Sequence, residues 1–154
     1  QFAIEEAAEM GVMLDYIVPQ EGSNVWFDGW VIPKYAKNTK AAAYFINYMC
    51  RADNALANME EIGYVSCAGG KGAAATILEA QYDEEAWPNT VDATYFFGNE
   101  PIEVDGELLD PHALHLNPVY YADKSIIDRC ALMHDAGEAQ ELLLEMWNEI
   151  KLAR

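Results

Sequence analysis

Residues 21 to 30 read EGSNVWFDGW, and the side chains able to do chemistry recur there at every second position: Trp26, Asp28 and Trp30. In an extended chain successive side chains alternate faces. All three therefore share one face with Ile32, while Val25, Phe27, Gly29 and Val31 share the other. A carboxylate between indoles suits an ammonium group. The carboxylate pairs and hydrogen-bonds with it, and each aromatic face adds attraction worth roughly 0.5 to 2 kcal/mol. Tyr64, in EIGY, offers a further ring. Periodicity alone favours a plainer arrangement, a core strand whose indoles pack and whose aspartate caps a loop.

Other groups that could do chemistry are less well placed. His112 and His115 have a spacing that would meet a metal on one helical turn, but Pro111 and Pro118 flank them and predict a loop with surface histidines. His134 beside Asp135 resembles half of a catalytic dyad, yet no serine or cysteine sits in a G-x-S-x-G elbow to act as nucleophile. The stretch AGGKGAAAT invites a phosphate reading through its glycines. It fails the Walker pattern, because Lys71 is followed by Gly72 where Ser or Thr is required. Cys50, Cys67 and Cys130 lack C-x-x-C spacing and read as structural thiols, with one disulfide open among three pairings. No catalysis and no cofactor is expected. A carboxylate hydrolase built on Asp28 would need a second acid that the sequence does not identify.

The elements that must hold these residues follow from length and patterning. A chain of 154 residues buries roughly 70% of its unfolded surface and can form one real core. Twenty-six acids against nine bases give a net charge of −17, which repels phosphate backbones and anionic headgroups and favours cationic partners. Nucleic acid is therefore not an expected partner. No window approaches the roughly 18 to 20 apolar residues of a membrane-spanning helix. The first residues, QFAIEEAAEM, lack a signal-peptide pattern and open inside an apparent helix without a cap, which predicts a chain cut from a longer one.

Leu14, Tyr16 and Val18 at period two predict a strand that exits at Pro19, and Val25 to Ile32 predicts a second. Thr39 is placed to cap a helix carrying Phe45, Ile46 and Met49, and Asp53 to cap another that ends at Gly63. A short helix is expected near Ile77 to Gln81. Prolines and glycines punctuate 83–117 and predict irregular structure, with a hairpin around PIEVDGELL turning at Asp105-Gly106. Ser125 is expected to start a helix running through Met133. A last helix after Gly137 aligns Leu142, Leu143, Met146, Trp147 and Ile150 on one face. Strands separated by helices predict an α/β fold.

Two stretches, YIVPQEGSNVWFDGWVIPKYAKN and YFINYMCRADNALANMEEIGY, resemble the second half of the spermidine/putrescine-binding proteins of polyamine ABC importers. That family runs VPxEG…xWxDxxxIPxxAKN and then FINxxxxPxxAxxNxExIGY at the same distances. The resemblance is dense over residues 14 to 64, weak through AWPNT, and returns at MWNEIKLAR. It implies a type II periplasmic-binding-protein fold, in which two α/β lobes clamp a ligand between them. This chain would be a fragment with parts of both: 1–26 in lobe two, 27–124 in lobe one after the crossover strand, and 125–154 returning to lobe two. The resemblance assigns ligand contacts to Trp26, Asp28 and Tyr64 and leaves Trp30 as a neighbour.

It further implies an extracytoplasmic location, a polyamine ligand (spermidine or putrescine), a permease as partner, and a missing N-terminal half. The alternatives are a related binder of another small cation and a ligand-free fragment that self-associates as a homodimer through exposed edges. The chain departs from the family where VSCAGG replaces a Thr-Pro-Asn turn and where Met133 precedes His134 and Asp135. The segment from Thr90 to Asn117 is also longer than in many relatives.

Overall fold

The computed structural model describes residues 2–67 and 71–152. Seven α-helices run through them: α1 (Phe2–Glu9), α2 (Thr39–Met49), α3 (Ala52–Ile62), α4 (Lys71–Gln81), α5 (Thr94–Phe97), α6 (Lys124–Ile127) and α7 (Gln140–Leu152). Four short strands, β1 (Asn24–Val25), β2 (Ile102–Val104), β3 (Glu107–Leu109) and β4 (Ala131–Leu132), form two two-stranded sheets. The architecture is mixed helix and strand.

The core lies between α3, α4 and the chain from 91 to 121. Ala73 and Ala74 keep one side of α4 thin enough for close approach, and Met59 of α3 is buried there together with Ile77 and Leu78. Val91 and Leu114 exchange backbone hydrogen bonds of 2.9 and 3.0 Å across an isolated antiparallel bridge, and both side chains are buried. Tyr121 closes the cluster. Its ring stacks on Phe97 at 5.7 Å, Phe96 meets it edge-on at 5.6 Å, and its hydroxyl donates to Gln81 Oε1 at 2.7 Å. Burial of that phenol pushes its pKa upward.

The hairpin forms where its turn residues predict it. Asp105 and Gly106 both take positive φ, 50° and 85°, the geometry whose twist matches paired strands. Ile102 then faces Leu109, which carries the hairpin's apolar side into the core. Gly63 ends α3 in the left-handed conformation, φ 69°, as expected of a helix-terminating glycine. Outside the hairpin and the unpredicted one-turn α5, the stretch 83–117 is irregular as its prolines and glycines predict, yet it supplies much of the best-buried apolar surface.

Other elements differ from expectation. Residues 12–19 form no strand, and beyond Val25 the segment to Pro33 has no ladder; period-two alternation becomes a strand only where a neighbouring edge supplies hydrogen bonds. The α2 N-cap is Asn38, not Thr39, and makes no side-chain cap bond. Arg51, not Asp53, occupies the α3 N-cap; Asp53 sits in the first turn and pairs with Arg51 at 3.1 Å. The α4 helix is longer than predicted, because its alanines favour helix. The predicted helix from Ser125 to Met133 stops at Ile127. Asp123 takes the cap by accepting from Ser125 N at 2.9 Å, and residues 131 and 132 instead pair in parallel with β1.

That pairing, Asn24 with Ala131 and Val25 with Leu132, joins two distant parts of the chain. Ala131 N donates to Ser23 O at 2.9 Å and Met133 N to Val25 O at 2.7 Å. Gly22, at φ 92°, lies against the Arg129 carbonyl so closely that a Cβ there would collide with backbone. Glycine is required at this junction on both counts.

Two aspartates pin the segment entering α5 to the one entering α6. Asp92 Oδ1 accepts from Thr94 Oγ1 at 2.6 Å and Thr94 N at 3.0 Å; Asp123 Oδ2 accepts from Asp92 N at 2.9 Å. The Thr94 hydroxyl, chiefly, holds the Asp92 carboxyl below its ordinary value of 3.8, and the Ser125 hydroxyl does the same for Asp123. A carboxylate whose folded pKa is depressed contributes stability above the unfolded value and loses it as pH falls through the folded one. Thermal stability is therefore expected to be flat from neutrality to roughly pH 5 and to fall below about pH 4. An Asp123→Ala chain, followed by near-ultraviolet circular dichroism, is expected to show a shallower acid decline.

Candidate ligand-binding site

The segment that bears the candidate residues leaves β1 at Val25 and runs to Pro33 without strand pairing. Its two indoles nevertheless find partners. Trp26 meets Tyr64, just beyond the Gly63 cap of α3, edge-on with ring centroids 6.5 Å apart and planes at 70°. Trp30 meets Phe45, on α2, at 5.2 Å and 87°. Tyr64 and Trp26, grouped in the sequence by ring type and by the family resemblance, are thus neighbours in space across 38 residues of chain.

Neither ring of the first pair is sealed. Trp26 is 46% exposed and Tyr64 60%, so ring surface on both remains open to a ligand. Asp28 is exposed and, among the described residues, has no ion pair or hydrogen bond. A carboxylate serving only as a loop cap would show backbone N–H donors, as Asp83 does with Glu85 N and Ala86 N, both at 2.9 Å. Asp28 has none among the described residues. Its charge faces no internal cation among the described residues, and an exposed carboxylate together with open ring faces is the combination of groups that suits an amine.

The remaining candidates have structural partners. His112 Nδ1 lies 3.4 Å from Asp92 Oδ2, and His115 Nδ1 lies 2.7 Å from Trp87 O, so the two rings point to different partners. No metal-ligating cluster occurs among the described residues. His134 Nδ1 contacts Leu132 O at 3.1 Å while Asp135 accepts from Gly137 N, so no dyad forms. The loop part of AGGKGAAAT, residues 68–70, lies outside the described residues. All three cysteines are free, and Cys50 and Cys67 are exposed rather than structural in the buried sense; no disulfide forms. Phe45 is the residue that sequence reasoning did not connect with the site. Its place on the α2 apolar stripe was legible, but no spacing rule pairs it with Trp30.

Residues 1–92 match the family model described as bacterial extracellular solute-binding protein, and the chain belongs to that family. Membership makes it a binding protein of the extracytoplasmic space. Within 58 residues it is 40% identical to the spermidine/putrescine-binding periplasmic protein of Escherichia coli K12, and equally to those of Shigella flexneri and Salmonella typhimurium. Each of these matches covers 38% of this chain and 17% of the relative. No solved structure matches the chain significantly.

Proposed function

We propose that the chain is part of the substrate-binding subunit of a polyamine importer, capturing spermidine or putrescine and delivering it to a permease. The observation that carries this reading is the open Trp26 and Tyr64 ring pair, with the unpartnered Asp28 two residues along the chain from Trp26. Asp28 pairs an ammonium of the ligand, and the rings cover the methylene chain beside it. No bond is made or broken, so the protein acts by binding alone.

In this reading residues 1–26 and 125–154 belong to one lobe and 27–124 to the other. The parallel pairing of β1 with β4 supports the return of the C-terminal part to the N-terminal one. Lobe closure would bend the chain near Phe27 to Gly29, and Gly29 has open space around it. A type II periplasmic-binding-protein arrangement, completed by a missing N-terminal half, accounts for the exposed apolar side of α7, where Leu142, Met146, Trp147 and Ile150 are all 50% exposed or more. Titration with spermidine, followed by tryptophan fluorescence and calorimetry, tests the reading. A saturable response is expected, and none from the chain or its full-length parent would overturn it.

The same exposed helix favours a second reading, a homodimer that covers its apolar faces without ligand. Light scattering after size exclusion separates the two. A dimer indifferent to spermidine supports the second, and a monomer that binds spermidine supports the first.

A further inference from the structure

We infer that Phe45 is a positioning residue for the Asp28 carboxylate, holding it through Trp30 without touching the ligand. The inference rests on the polyamine reading for its functional half and on geometry for the rest. Between Trp26 and Ile32 no backbone hydrogen bond is made among the described residues, so nothing of the ladder kind fixes this stretch. Two ring contacts tie it to the rest of the chain, Trp26 on Tyr64 at 6.5 Å and Trp30 on Phe45 at 5.2 Å.

Along the chain Asp28 lies midway between the two anchored indoles. The anchors differ in what they do. Tyr64 belongs to the proposed ligand surface and is free to change its contacts when ligand arrives. Phe45 lies within α2, an eleven-residue helix, and its near-perpendicular approach to Trp30 is the geometry that aromatic quadrupoles favour.

The span between the anchors contributes little stiffness of its own. Phe27 is 70% exposed, and a Cβ added at Gly29 would meet nothing within 4 Å. Loosening the Trp30 end would therefore let Asp28 sample positions away from Trp26, and ligand binding would have to repay that lost order. An edge-to-face contact of this kind corresponds to roughly a threefold to tenfold change in an equilibrium constant.

The test compares the chain with Phe45→Ala and Phe45→Tyr variants by two measurements. Backbone 15N order parameters report the Phe27 to Gly29 span without ligand, and calorimetry reports spermidine affinity. Phe45→Ala is expected to lower the order parameters there and to weaken spermidine binding roughly threefold to tenfold. Phe45→Tyr, which keeps the ring edge, is expected to restore both. Unchanged order parameters in Phe45→Ala overturn the proposal, as does unchanged affinity when the unmodified chain binds. If the unmodified chain gives no spermidine response, the polyamine reading falls and takes the functional half with it, while the order parameters still decide whether Phe45 holds the segment.

Discussion

Replacing Asp28 with alanine is expected to weaken spermidine binding by roughly 10-fold to 100-fold while leaving the unfolding midpoint unchanged. The magnitude follows from hydrogen bonds to charged groups, worth about 1.5 to 3 kcal/mol, at about 1.4 kcal/mol per tenfold. The separation of binding from stability follows from the structure. Asp28 is exposed and has no partner among the described residues, so its removal strands no internal donor or cation. Trp26→Ala removes ring surface worth roughly 0.5 to 2 kcal/mol and is expected to cost less affinity than the lost carboxylate. Calorimetric titration of the two variants beside the unmodified chain reads the order. Equal affinity of Asp28→Ala and the unmodified chain would falsify the ammonium pairing.

The largest expected effect on stability is at Tyr121. Alanine there removes a stacked contact with Phe97, an edge contact with Phe96 and the hydroxyl bond to Gln81, and leaves a cavity at a fully buried position. Truncations of this type cost about 3 to 5 kcal/mol. Tyr121→Phe keeps both ring contacts and gives up one hydrogen bond, for about 1 kcal/mol. Leu142→Ala, on the exposed side of α7, is expected to change stability by less than about 0.5 kcal/mol in this chain. Urea unfolding midpoints separate the three. Comparable losses for Tyr121→Ala and Leu142→Ala would show that the core is not where the buried cluster places it.

What could be read from residues alone divides along a physical line. Features set by local geometry were legible: the Asp105-Gly106 hairpin needs positive φ at adjacent positions, and the Gly63 terminus needs it once. Amphipathic spacing located α2, α3 and α7. Features set by distant partners were not legible. The alternation from Leu14 to Val18 carries a strand's pattern, but a ladder depends on an edge that only the rest of the fold can supply. The helix predicted to reach Met133 yields to the β1 edge, which is invisible from within that stretch. In the candidate site, Trp26, Asp28 and Tyr64 could be grouped through the family resemblance added to their ammonium-binding chemistry, since periodicity alone favours a core strand. Phe45 could not, since a phenylalanine on a helical stripe looks the same whether it meets core or a tryptophan. The prolines and glycines of 83–117 signalled irregularity correctly but said nothing of burial, which depends on Val91, Leu114 and Leu116 reaching α4 from a loop.

The two-rung junction of Asn24 and Val25 with Ala131 and Leu132 bears on the order of assembly. Its halves are separated by about a hundred residues, and closing so long a loop carries an entropic penalty that two hydrogen-bonded rungs repay only once the intervening chain has already condensed. The helices and hairpin between them are expected to consolidate first and this seam to knit last. By the same reasoning it is the first place to part, so amide deuterium uptake at Ala131 and Met133 should outpace that at Val91 and Leu114.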